Sequence, residues 1–182
     1  MKDFPTHGVV DFCPGEGLSD PAIKRVVTLA KLANFPVLKL PGATLSVAGL
    51  AELGRAEGIL SLDLSNSILE SSGLHFLGYL DFLEVLSLRG TLIQDYEFFF
   101  LEKLQKLRSL DVRDSEFSDY SMGWVQSRVL EEIWLSRTLV SSDSFARLIE
   151  LPQLRRVHLE GTSFSASELE IFADHGRIQL FL

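Results

Sequence analysis

Large apolar residues return along this chain at a nearly fixed interval, while the polar residues between them do not repeat. LEVLSLRGTLIQ, starting at Leu83, is followed 24 residues on by LRSLDVRDSEFS and 23 residues after that by LEEIWLSRTLVS. Aligned on this pattern, six complete units begin at Phe35, Ile59, Leu83, Leu107, Leu130 and Leu154, and a partial one at Arg177. The fourth position is Leu38, Leu62, Leu86, Leu110, Ile133, Val157 and Leu180. The sixth is Leu40, Leu64, Leu88, Val112, Leu135, Leu159 and Leu182. Six such positions across the six units are apolar in all 36 cases; at 46% apolar composition chance would give this with a probability on the order of 10⁻¹².

Each unit changes period halfway. L-x-L alternates and predicts a short strand with one buried face. The second half, as in DYEFFFLEKLQK, has apolar residues at i, i+3 and i+6 and predicts a helical turn or two. Asp95, Asp119, Ser142 and Ser165 stand where those turns should start, and Ser165-x-x-Glu168 matches a capping box. A strand and a turn of helix in about 24 residues cannot bury their apolar side alone, but stacked on like neighbours they can.

These units resemble leucine-rich repeats, in the 24-residue, bacterial-like variety with Gly90-Thr91 or Gly161-Thr162 after the strand. The resemblance covers residues 35–182. It implies an α/β solenoid with a parallel concave β-sheet and convex short helices, and it implies no reaction. At the ninth position, where many members carry Asn, this chain has Ser67, Thr91, Ser115, Thr138 and Thr162, with Ala43 in the first unit. A ladder of hydroxyls tying successive loops is the expectation. Residues 1–34 read as a capping segment, with a strand at Val9 to Phe12 and a helix in SDPAIKRVVTLAKL entered through Ser19 or Asp20 and Pro21. Cap and repeats form one continuous domain. RIQLFL predicts a last strand with a bare edge, which implies a longer natural chain, a homodimer through this strand, or a Phe181 and Leu182 that tolerate exposure.

Inward Leu residues force the alternate positions outward. The middle column is Lys39, Asp63, Ser87, Asp111, Trp134, His158 and Phe181. The column after it is Pro41, Ser65, Arg89, Arg113, Ser136 and Glu160, and the column before it runs from Val37 through Glu132 and Arg156 to Gln179. Trp134, His158 and Phe181 should therefore stand side by side, about 4.8 Å apart, as aromatic anchors for a partner. Arg113, Asp111, Arg89 and Glu160 surround them, with Arg89 and Arg113 paired in one column. A second column, Phe76, Phe100 and Trp124 beside Phe99, is expected to pack between helices.

Composition narrows the function further. A net charge of −8 and a pI near 5.0 repel phosphate backbones, so nucleic acid is not an expected partner. MKDFPTHGVVDFCPGEG lacks the apolar core of a signal peptide, and no run reaches the ~18 apolar residues of a membrane span. A cytoplasmic address follows as the expectation. The single Cys13 excludes an intrachain disulfide. GVVDFCPGEGLSDPAIK has the layout of a phosphate cradle but lacks its Lys-Ser/Thr and its third Gly, and Glu16 and Asp20 would repel phosphate. Cys13 has Ser19 where a C-x₅-R phosphatase needs Arg. His7, His75, His158 and His175 have no metal-ligand spacing, and Asp111 and His158 should lie two strands apart, too far for a catalytic pair. No cofactor and no catalytic residues are expected. The sequence predicts a protein-recognition module whose partner is a protein or peptide held on the concave sheet, with a regulatory adaptor for a bound enzyme or a self-associating structural protein as the alternatives.

Overall fold

In the computed structural model, residues 8–11, 18–174 and 176–182 are described. His7, Phe12, Cys13, Glu16 and His175, and with them the glycine loop and the thiol considered above, lie outside the described residues.

Eight three-residue strands stack in chain order into one parallel sheet. They are Val9–Asp11, Val37–Lys39, Ser61–Asp63, Val85–Ser87, Ser109–Asp111, Glu132–Trp134, Arg156–His158 and Gln179–Phe181. The register is in phase throughout: Leu38, Leu62, Leu86, Leu110, Ile133, Val157 and Leu180 lie opposite one another in turn. The strand Val9–Asp11, which precedes the first repeat unit, joins this ladder with Val9 opposite Val37. A second, two-stranded sheet pairs Thr44–Leu45 with Ile68–Leu69.

The opposite side of each unit carries a short helix: Asp20–Ala33, Val47–Leu53, Ser71–Tyr79, Asp95–Lys103, Asp119–Met122, Phe145–Glu150 and Ala166–Asp174. Those at Ser71–Tyr79 and Asp95–Lys103 are 3₁₀ helices of nine residues. Their i, i+3, i+6 apolar spacing explains this, because a three-residue period keeps one face inward only at three residues per turn. Leu74, Leu77, Phe98 and Leu101 are accordingly buried on that face. They meet the strand leucines in one continuous apolar core running from Ile23 to Ile178.

Two local expectations are corrected. Asp95 and Asp119 are the first residues of their helices, and the caps are Gln94 and Ser118, one residue earlier. Ser142 likewise yields its cap role to Ser141. The freed aspartates reach into the next unit. Asp95 accepts from the backbone N–H of Ser118 at 3.0 Å and its hydroxyl at 2.6 Å, and Asp119 does the same for Ser141 at 2.9 and 2.6 Å. Ser121 and Ser144 also donate to these carboxylates. Ser165 and Glu168 do form the predicted box.

The second correction concerns the hydroxyls. Thr91, Ser115, Thr138 and Thr162 each donate to a carbonyl three residues back in their own turn, at 2.6–2.7 Å. Ser67 alone among them bridges units, accepting from Ala43 N–H and donating to Leu40 C=O. The turn before each of these residues is the same: the eighth residue of every unit is left-handed. Gly42, Gly90 and Gly161 have φ of 66 to 71°, and Asn66, Asp114 and Arg137 have φ of 56 to 58°. The tight turn lets the next hydroxyl fold back onto its own strand, although Ser67, which follows the same turn at Asn66, reaches the preceding unit instead.

Candidate functional site

The in-phase register carries the outward residues into continuous columns, so Asp111, Trp134, His158 and Phe181 are successive neighbours. The three rings stack. Trp134 and His158 have centroids 5.0 Å apart with planes 14° from parallel, and His158 and Phe181 are 4.3 Å apart at 12°. Trp134 and His158 are half-buried, and Phe181 is 37% exposed.

A residue outside the predicted set fixes this row. Glu132 is 5% exposed, yet it is a carboxylate on the outward face of the sheet. Its Oε2 accepts from Arg156 Nη2 at 2.9 Å and its Oε1 from His158 Nε2 at 3.0 Å. Since a carboxylate only accepts, Nε2 is the nitrogen that carries the proton. Burial pushes the Glu132 carboxyl up, but the hydrogen bonds from Arg156 and His158 outweigh it and hold it below its ordinary value. Sequence held the signal for half of this: Glu132 lies directly opposite Arg156 in register. The bond to His158 is diagonal and depends on a side-chain direction that spacing does not encode.

The remaining predicted residues fall into two groups. Arg113 chelates Asp111 through Nε at 2.9 Å and Nη2 at 2.6 Å, and its guanidinium carbon lies 5.9 Å from the Trp134 ring centroid. Arg89 and Arg113 share a column but do not act as a pair. Arg89 Nε instead reaches Asp114 Oδ2 at 2.9 Å. Asp114 also accepts from Arg137 Nη2 at 3.0 Å, and Arg137 lies 3.7 Å from Glu160. Arg89, Asp114, Arg137 and Glu160 thus form a ladder along the turns, with Glu160 at its exposed end. The hydrogen bond from Arg137, joined by that from Arg89, holds the Asp114 carboxyl at about 2.

Next to Trp134 the face drops into a depression of about 310 Å³. Ser61, Ser65, Val85, Ser87 and Ser109 line it together with the charged residues Lys39, Asp63, Arg89, Asp111 and Arg113. On the flank, Phe100 is fully buried, and Phe76 and Trp124 pack half-buried against the core. Phe99 points outward at 43% exposure. Among the described residues no group of three or more His, Cys, Asp or Glu could hold a metal ion. No described helix is long and apolar enough to cross a membrane.

No family model matches the chain, and no curated protein matches it. Solved structures share its fold. An internalin from Listeria monocytogenes has 18% identity and a TM-score of 0.62 over 86% of this chain and 43% of its own. A leucine-rich-repeat protein from Leptospira interrogans has 20% identity and a TM-score of 0.58 over 87% of this chain and 38% of its own. An internalin C2 from Listeria monocytogenes has 19% identity and a TM-score of 0.61 over 96% and 79%. The chain therefore spans less than half the length of the first two. With a 24-residue apolar repeat, an in-phase parallel ladder and these neighbours, the chain is a leucine-rich-repeat solenoid.

Proposed function

We propose that this chain is a non-catalytic recognition module in the cytoplasm that holds a protein or peptide partner against its sheet face. The contact is centred on Trp134, His158 and Phe181, with Arg113, Asp111, Arg89 and Glu160 around them. One observation carries the reading: three stacked rings stand on the solvent side of strands whose apolar residues otherwise point inward. Rings held by their neighbours lose little side-chain entropy when a partner covers them, which is what makes aromatic residues effective anchors.

Paired affinity capture from lysate of the source cells tests it, with the intact chain and a Trp134→Ala variant as baits. The expected result is a protein retained by the first and lost by the second. Affinity for that protein should fall by about 2 kcal/mol, roughly thirtyfold, while the melting temperature stays nearly unchanged because Trp134 lies outside the apolar core. Equal retention by both baits would refute the reading. The exposed Phe181 and Leu182, at 37% and 71%, favour a second copy of the chain as the alternative occupant. Recovery of the chain itself would support that.

A further inference from the structure

The charges of the sheet face are already spoken for. Lys39 Nζ lies 3.5 Å from Asp11, Arg113 chelates Asp111, Arg156 and His158 hold Glu132, and Arg89 and Arg137 share Asp114. Asp63 has no basic partner among the described residues, but its Oδ1 accepts from Ser65 N–H at 2.8 Å and from the Ser65 hydroxyl. An incoming carboxylate or ammonium would have to open one of these pairs and shed its own water, gaining only a replacement of the same kind. Such an exchange is close to neutral at best.

The rings point the same way. Their spacings of 5.0 and 4.3 Å bracket the distance between strands, and their planes are nearly parallel. The ring faces therefore look along the row: those between Trp134, His158 and Phe181 cover one another, the Arg113 guanidinium lies on the open side of Trp134, and the far face of Phe181 ends the row. What faces outward is the ring periphery, which carries the positive part of the aromatic quadrupole. A cation gains from a ring face and not from an edge. An aromatic side chain laid flat across the edges gains edge-to-face geometry. Beside it, the depression of about 310 Å³ has room for a neighbouring uncharged group: the charged residues in its lining, Lys39, Asp63, Arg89, Asp111 and Arg113, are those already partnered above, and Ser61 and Ser109 stand between them, with the Ser87 hydroxyl 2.9 Å from that of Ser65.

We propose that this face selects an uncharged partner segment that lays an aromatic side chain across the edges of Trp134, His158 and Phe181 and sets its neighbour into the depression beside them. The proposal rests on the recognition reading and names the chemistry of its partner.

The full chain would be titrated separately with the N-acetyl amides of tryptophan, leucine, arginine and glutamate, at low and at high salt, following the two indole N–H resonances. Trp134→Phe assigns them, and Trp124, whose Nε1 is buried, serves as the internal reference. The tryptophan amide should move the Trp134 resonance with a midpoint about tenfold below those of the arginine and glutamate amides, below that of leucine too, and unchanged by salt. A charged amide binding best, a midpoint that rises with salt, a response at Trp124, or no response to any amide would each overturn the proposal. A protein captured by the intact chain, lost on Trp134→Ala and released by salt would overturn it while leaving the recognition reading standing. Amide binding as expected with no captured protein would do the reverse.

Discussion

Replacing Glu132 tests whether the aromatic row is held by polar contacts or by packing alone. The carboxylate is 5% exposed and takes two charge-assisted hydrogen bonds, 2.9 Å from Arg156 and 3.0 Å from His158. Each such bond contributes roughly 1.5–3 kcal/mol. Against this stands the cost of burying the carboxylate, which Glu132→Ala removes. The Arg156 side chain is 39% exposed, so it can return to water and is not stranded. The balance is a loss of about 2 kcal/mol for Glu132→Ala. In a chain of this size that lowers the melting temperature by about 4–8 °C. Glu132→Gln keeps the shape and one acceptor and should cost about half as much. The folded-state pKa of Glu132 lies below its ordinary 4.5. Its contribution is therefore present above that value and is lost as pH falls through the folded pKa. Thermal and urea unfolding of the three proteins, at neutral pH and in steps below 4.5, measures all of this. The difference between wild type and Glu132→Gln should be largest at neutral pH and shrink on acidification. A Glu132→Ala protein that melts at or above wild type, or a difference that ignores pH, would show that the burial cost wins and that packing alone orders the rings.

Phe100 is fully exposed to the core and hidden from water, so Phe100→Ala should destabilise by about 3–5 kcal/mol in urea unfolding, with no change in the affinity of a partner on the sheet face. Arg137 holds a left-handed backbone at φ 56°, which costs a non-glycine residue about 1–2 kcal/mol, and its ion pairs with Asp114 and Glu160 are solvent-screened and return little. Arg137→Gly should leave stability unchanged or slightly raised; a clear loss in the same unfolding assay would show that the turn ladder is stronger than its exposure suggests.

The repeat made the columns legible because a period of 24 residues and an alternation of two fix both the neighbour and the face of each strand residue. Trp134, His158 and Phe181 could be aligned from spacing alone, and Asp111 could be separated from His158 for the same reason. Side-chain direction could not be read this way. Arg89 and Arg113 share a column, yet one turns along its own strand to Asp111 and the other crosses to Asp114. Glu132 reads as exposed from its position and is buried because two neighbours fold over it. The same limit hid the role of Asp95 and Asp119: their spacing marked the helix start, but whether a carboxylate caps its own helix or reaches the next unit depends on how closely the units stack.

The caps lie at one constant offset in every unit. Ser46, Glu70, Gln94, Ser118 and Ser141 each fall eleven residues after the first residue of their unit, whether the unit has 24 residues or, as from Leu107, 23. The missing residue is lost after the cap, on the helical side, where Asp119–Met122 has four residues and its neighbour Asp95–Lys103 has nine. The ladder from Ser109 to Glu132 stays in phase across the shorter unit. Small deletions during divergence can thus accumulate on the back of the solenoid without shifting any outward column by even one place, so the two sides are free to evolve at different rates.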